Sequence, residues 1–254
     1  MKLLNLCLGF NALVVLLTLM PTVVNAALVQ GVAQGVISDN AEVWGQDVDI
    51  FGLDGADLSG QSFIVNFTYD TSFAPLPTEL GPDDITGSSR TTYESIDSNN
   101  WLQMSITVND HTFTVEGDQR IVDILDHDIT HPFSIENPGQ TDFIHIVNNG
   151  RSGVFPGNNY RRQFLNIDLT MPDDILLSSS ALLDFQTSNI IQSESGFLIN
   201  ELDLDPVTGE VIYQRRVGFH LDVQSVEVKV VPIPAAVWLF ISGLLSLVYF
   251  TKKQ

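Results

Sequence analysis

Ser62-Phe-Ile-Val-Asn-Phe-Thr-Tyr69 and Trp101-Leu-Gln-Met-Ser-Ile-Thr-Val108 share one pattern. Phe63, Val65, Phe67 and Tyr69 fall on every second residue, as do Leu102, Met104, Ile106 and Val108. A period of two puts these side chains on one face of a strand and buries that face. Asn109-Asp110 interrupts the second run, and alternation resumes at Thr112 and Phe113. A two-residue break of this composition is a hairpin signal. Similar short runs occur at Leu28–Ile37, Arg120–Leu125, Asp142–Val147, Gln163–Leu169, Gly196–Ile199, Val211–Gln214 and Val217–Val230. Between the two ends of the chain no stretch keeps a helical period over three turns. Asp173 to Phe185 comes nearest and reads as a short helix or turn. Residues 70–100 are rich in Pro, Thr, Ser, Gly and Asp and read as a long loop. Many short strands with turns between them predict an all-β domain, an antiparallel β-sandwich or jelly-roll spanning residues 27–230.

The two ends read differently. Met1-Lys2 precedes an apolar run from Leu3 to Met20, then a segment ending Val24-Asn25-Ala26. This is the basic, apolar and small-residue order of a signal peptide, with Val24 and Ala26 before the cut and residues 1–26 removed. Cys7, the single cysteine, lies inside the apolar run, so the mature chain has no disulfide. At the other end, Val230 to Phe250 carries no charge over 21 residues. As a helix that stretch rises about 30 Å, the thickness of a hydrocarbon core. Pro232 and Pro234 delay its start to Ala235, which places a transmembrane helix at 235–250. Lys252 and Lys253 follow and hold the tail on the cytoplasmic side.

The 254 residues include 31 Asp+Glu and 11 Lys+Arg, for a formal net charge of -20. All 31 acids lie between the terminal segments, with eight basic residues, leaving 8 − 31 = −23 on that part. An acidic surface excludes nucleic acid as a partner, since phosphate binding needs a basic footprint. At 44% hydrophobic and 17% charged residues the chain is also too apolar for wholesale disorder. The asymmetry suits an exported, solvated domain.

Val231-Pro232-Ile233-Pro234-Ala235-Ala236-x-Trp238-Leu239-Phe240-x-Ser242-Gly243-Leu244 resembles the C-terminal sorting signal of PEP-CTERM proteins, in the variant with Ile233 where the name-giving motif has Glu. The resemblance covers residues 231–254: proline motif, helix and Lys252-Lys253 tail. It implies recognition by an exosortase, a membrane-embedded cysteine protease of exopolysaccharide-making Gram-negative bacteria. Physical reasons for the motif can be given. Pro232 and Pro234 keep the peptide extended outside the bilayer, Trp238 suits the interface, and Ser242-Gly243 offers a small helix face. A second likeness to PEP-CTERM ectodomains runs through Phe51-Gly52…Asp57-Leu58-Ser59-Gly60-Gln61…Phe63 and Tyr69-Asp70-Thr71, with echoes at Leu169…Asp184-Phe185 and Gly218…Asp222-Val-x-Ser225-Val. It implies no activity.

Chemistry-bearing motifs are few. His127 and His131, with Asp123 and Asp126 nearby, have the i, i+4 spacing of a metal pair on a helix. Ile129, Thr130 and Pro132 oppose a helix there, and no Glu stands between the histidines. The segment reads as a polar loop. Asp47-Val-Asp49, Asp54-Gly-Ala-Asp57 and Asp203-Leu-Asp205 offer oxygen ligands of the kind calcium takes, without the spaced calcium-loop motif, and Asp205 to Gly209 reads as a turn. No cofactor is expected. No nucleophile elbow or phosphate loop is present, and His111, His145 and His220 read as sheet residues. Arg161-Arg162 and Arg215-Arg216 read as solvated charges, since neighbours on a strand face opposite ways. Trp44, Trp101, Tyr93 and Tyr160 are aromatic candidates for a sugar platform.

The resulting expectation is a non-enzymatic cell-surface or matrix structural protein. It passes the secretory translocon, is held briefly in the inner membrane by its C-terminal helix, and is released by an exosortase to a biofilm exopolysaccharide. The alternative is an exported polysaccharide-binding or polysaccharide-processing β-sandwich on the same anchor.

Overall fold

The computed structural model describes residues 28–38, 49–51, 57–80, 89–96, 100–126, 141–152, 160–172, 175–176 and 184–231. The signal segment with Val24 and Ala26, the sorting residues Pro232 to Lys253, and His127 and His131 lie outside them. Among the described residues no helix is long and apolar enough to cross a membrane.

The chain forms strands β1 (Leu28–Ile37), β2 (Ser62–Asp70), β3 (Thr78–Leu80), β4 (Ser89–Ile96), β5 (Leu102–Val108), β6 (His111–Val115) and β7 (Gln119–Asp126). These are followed by β8 (Thr141–Ser152), β9 (Tyr160–Pro172), β10 (Phe185–Thr187), β11 (Gln192–Ser193), β12 (Ser195–Leu204) and β13 (Val211–Val231). All pairings are antiparallel, in the order β3-β4-β7-β8-β9-β12-β13-β1-β2-β5-β6, with β10 on β13 and β11 on β9. The all-β prediction holds. The two stacked sheets of a sandwich are replaced by one continuous sheet curled into a half-barrel.

The curl follows from chain length. In sheet order β6 and β7 stand eight strands apart. On a flat sheet that is roughly 38 Å. Only Glu116, Gly117 and Asp118 connect them, and that reach is at most about 14 Å. The sheet must therefore bring β6 back over its own middle. Asn148 Nδ2 donates to Val115 O at 3.1 Å, and Glu116 N donates to Gln163 Oε1 at 3.0 Å. A Cβ on Gly150 would lie 2.1 Å from Glu116 O, and one on Gly117 would lie 1.7 Å from Asn148 Oδ1. The crossing thus rests directly on β8. Arg120, 3% exposed, pins it by donating to Leu102 O (3.2 Å), Asn100 Oδ1 (2.7 Å) and Gly117 O.

The curled sheet encloses one core. Phe63, Val65, Phe67 and Tyr69 of β2 and Leu102, Met104, Ile106 and Val108 of β5 all face it. At about 1.5–3 kcal/mol for each such side chain, a one-residue slip of β2 would forfeit on the order of 6–12 kcal/mol, which fixes the register. Asn109 (φ 49°) and Asp110 (φ 65°) form the two-residue hairpin, both left-handed as a type I′ turn requires. Phe197 is the centre of an aromatic cluster with Phe51, Phe113 and Phe219, at centroid distances of 5.5, 5.6 and 5.1 Å. It joins β12, β6, β13 and the short 3-10 turn Asp49–Phe51.

The two runs expected at 211–214 and 217–230 are one strand, the 21-residue β13. Its first half pairs with β12 and its second half with β1. Gln34 faces Ser225 while Gly35 faces Val223, so Gln224 is an extra residue, a β-bulge. Buried positions change from Val217, Phe219, Leu221 and Val223 to Val226 and Val228 across it. A Cβ on Gly35 would sit 1.9 Å from Asp222 O, so the bulge needs glycine opposite.

The segment read as a long loop, 70–100, contains β3 and β4. The inward residues of β4 include Thr91 and Tyr93, so its alternation is hydroxyl-rich rather than apolar. The helix or turn considered at 173–185 falls mostly outside the described residues, and Phe185 opens β10.

Replacing Gly150 with Val should destabilise the protein by about 3 kcal/mol, the upper part of the overpacking range, because backbone rather than a movable side chain occupies the space. Urea unfolding measures this. A loss below about 0.5 kcal/mol would show that the crossing does not press on β8.

Candidate functional site

Strand parity separates the two faces of the half-barrel. On β9, β12 and β13 the odd residues up to the bulge face the core and the even residues face out. The register places Arg162, Asn200 and Arg216 in one outer row, Phe164, Leu198 and Gly218 in the next, and Asn166, Gly196 and His220 in the third. Gly196 and Gly218 remove two side chains from this grid. The result is a groove of about 550 Å³ whose walls include Arg162, Phe164, Asn166, Leu198, Arg216 and His220. Arg162 Cζ lies 5.9 Å from the centroid of the Phe164 ring, a cation–π contact. A second depression of about 770 Å³, reaching Gly60, Val36 and Asp222, shares Glu194 and His220 with the first. The two adjoin as one cleft along the outer face.

Asn166 is 5% exposed and held from two sides. Its Nδ2 donates to Asp168 Oδ2 at 2.6 Å and to Glu194 O at 3.2 Å. A Cβ on Gly196 would lie 3.3 Å from Asn166 Oδ1, so this oxygen stands over the glycine floor.

Beside the groove a polar row crosses four strands. Thr92 faces Asp123, Asp123 faces His145, and His145 faces Asp168. Arg90 grips Asp123 with Nε at 3.0 Å and Nη2 at 2.5 Å, and Thr92 Oγ1 donates at 2.8 Å. His145 Nδ1 bonds Asp168 Oδ1. An imidazole oriented by a carboxylate can move protons. The nearby Ser195 is fully buried, however, and its Oγ engages the backbone of Asp168. It is therefore not placed to attack a ligand.

The arginine doublets are more organised than their sequence suggests. Arg161 and Arg215 face inward and flank Glu201, which is 8% exposed. Arg215 Nη2 lies 2.9 Å from Glu201 Oε2. Arg161 binds Asp203 through two bonds of 3.0 and 3.1 Å and lies 3.8 Å from Glu201. The Asp203 hydrogen bonds raise the Arg161 pKa above its ordinary value against partial burial. Arg162 and Arg216 are the outward halves and meet across Asn200. Neither doublet forms a patch by itself, as expected, but one member of each joins the other across β12. The reading as solvated charges fails for Arg161 and Arg215, which form structural ion pairs.

The metal candidates have other roles or lie elsewhere. Asp123 is held by Arg90, and Asp203 by Arg161. Asp205 Oδ1 accepts the N–H groups of Val207 (2.7 Å) and Thr208 (2.9 Å) in the turn between β12 and β13. Among the described residues no group of three or more His, Cys, Asp or Glu is placed to hold a metal. Of the aromatic candidates, Trp101 is 2% exposed and donates Nε1–H to Ser95 Oγ at 2.6 Å, while Tyr93 and Tyr160 are also buried. Trp101 and Tyr93 belong to the core, Tyr160 is buried on the outer face with Arg151 Cζ 5.8 Å from its ring centroid, and Trp44 lies outside the described residues. Phe164, which the sequence did not single out, is the outward-facing aromatic of the groove.

No protein-family model, curated protein or solved structure matches the chain.

The bonds from Thr208 and then Val207 hold the Asp205 carboxyl below its ordinary 3.8. A lowered carboxyl pKa contributes stability that is complete above the ordinary value and is lost as pH falls through the folded one. The Val207 and Thr208 amide proton shifts should therefore move upfield on acidification, with a midpoint below 3.8, and Asp205→Asn should abolish the step. A midpoint at or above that value would contradict the turn's hydrogen bonds.

Proposed function

We propose that this chain is an exported, non-enzymatic surface or matrix protein, sorted by an exosortase and associated with exopolysaccharide. One observation carries most of the reading. Leu28 and Val231 are paired residues of β1 and β13. Among the described residues the sheet thus begins two residues after the expected signal cleavage at Ala26 and reaches the residue before Pro232. Both flanking segments join the same end of one strand pair.

That arrangement suits a domain made to be handed over. The translocon exports residues 27–230 with all 31 acids. The helix at 235–250 and Lys252-Lys253 hold the precursor in the inner membrane, with the proline motif directly below the domain. Pro232 and Pro234 interrupt strand pairing because they lack donors, and leave an extended peptide for the protease. Cutting there frees a sheet whose last ladder is already complete. A net charge of −23 then keeps the released domain dispersed in a hydrated matrix.

Mass spectrometry of the cell-derived protein tests this reading. The expected product begins at Ala27 and ends within or just after the 231–236 motif. Deleting the exosortase, or replacing Pro232 and Pro234 with Ala, should leave Lys253 at the terminus region and the protein in the inner-membrane fraction. Native protein that keeps Lys253 in an exosortase-bearing host would overturn the proposal.

A further inference from the structure

At the end of the sheet that holds Leu28 and Val231 we infer a lipid-docking surface, in which Phe73, Leu76 and Ile96 rest on the headgroup boundary of a zwitterionic bilayer. The inference rests on the membrane-held precursor proposed above and not on cleavage of its tail.

Connectivity gathers this surface. Leu28 pairs with Val231 on one side and with Asp70 on the other, so the three residues lie within two strand spacings, about 10 Å. The turn that carries Phe73 starts at Asp70. The N–H groups of Phe73 and Ala74 donate to Asp70 O at 3.2 and 3.0 Å, and Ser72 N–H donates to Asp70 Oδ1 at 2.8 Å. Strand β3 then opens with Thr78 opposite Thr92, so the residues just before it run towards Ile96. Asp70 N–H also donates to Trp101 O at 2.8 Å, and Trp101 Nε1–H donates to Ser95 Oγ at 2.6 Å. Ile96, the neighbour of Ser95, therefore belongs to the same end.

Burial in the loop runs against size. Ala74 packs on the core, whereas Phe73 is 71%, Leu76 95% and Ile96 75% exposed. The hydrogen bonds of the turn hold Phe73 outward instead of letting it fold in. Large apolar side chains gathered at one end and left in water mark a surface made for an apolar partner. Thr71 to Thr78 carries no charge, in a domain with 31 acids. Pro75 and Pro77 have no N–H to leave unpaired at a lipid boundary.

The chain itself points to the partner. Val230 to Phe250 is uncharged over 21 residues, and the helix expected from Ala235 starts at most about 14 Å along the chain from Val231. A bilayer holding that helix has its surface within reach of Phe73 and Leu76. Shallow apolar insertion of this kind depends on lipid charge. Asp70, Glu94 and the −23 of the domain reject an anionic surface, which leaves zwitterionic headgroups.

Fluorescence of the full-length chain in phosphatidylcholine vesicles provides the test. Cys7→Ser removes the single cysteine, and Leu76→Cys, Val207→Cys or Leu245→Cys then carries a polarity-sensitive label. Val207 is 90% exposed in the turn before β13, at the opposite end of that strand from Val231, and serves as the bare-surface control. Lipids brominated near the headgroup should quench the label at position 76 at least about threefold more than the label at position 207. Phe73→Ser with Ile96→Ser should lower the quenching at 76 to the level at 207, at an unchanged thermal midpoint because both side chains are exposed. Adding phosphatidylglycerol should also lower it. Equal quenching at 76 and 207, no effect of the serine variant, or stronger quenching with phosphatidylglycerol would each overturn the inference. A blue shift at 76 that needs no lipid and grows with protein concentration would do so too, since it marks a second copy as the occupant. The comparison of 76 with 207 stands even where the serine variant fails to fold. The label at 245 reads the tail separately, through lipids brominated deep in the acyl chains. Quenching at 245 without quenching at 76 refutes the docking surface alone. Quenching at 76 without quenching at 245 refutes the membrane helix alone, and quenching at neither refutes both.

Discussion

A three-residue link between strands eight places apart in the sheet governs this molecule. Hydrogen bonding alone would tolerate a flat ribbon of this strand order. Covalent reach does not, so β6 must fold back over β8 and β9. Once it does, the apolar faces of β2, β5, β9 and β12 share a single core. Buried Arg120 belongs to the same constraint. It replaces lost water with three oxygens drawn from both sides of the crossing, and an apolar residue there would leave those oxygens short of a donor.

The outer groove depends on the inner packing. Phe197 and Phe219 hold β12 and β13 in register beneath Gly196 and Gly218, so the depression is a consequence of rigid strands rather than mobile loops. Charge is divided by the same parity. One arginine of each doublet neutralises Glu201 at the polar end of the interior, and the other is turned out over the groove.

Much of the fold was legible because its strands bury one face only. Leu28–Ile37 was read at its full length, and Asn109-Asp110 gave its hairpin away. The phase slip in β13, from Val217, Phe219, Leu221 and Val223 to Val226 and Val228, is also written in the residues, although a single unbroken run conceals it. Strand β4 was missed because Thr91 and Tyr93 carry its inner face, leaving too little apolar contrast. The single sheet was missed because local periodicity does not reveal that β13 is bonded to different partners along its two halves. The groove was illegible for a related reason. Arg162, Asn166, Gly196, Arg216 and His220 are scattered over 59 residues of sequence, and only the ladder alignment makes them neighbours.

The pairing of Leu28 with Val231 has a further meaning for the chain as a polymer. Its two ends are about one strand spacing apart, roughly 5 Å, so the backbone of the folded unit is nearly a closed ring. A short bridge of a few residues would complete that ring, and the exposed turn at Asp205 to Glu210 is a place where it could be opened instead. The architecture is indifferent to where synthesis starts.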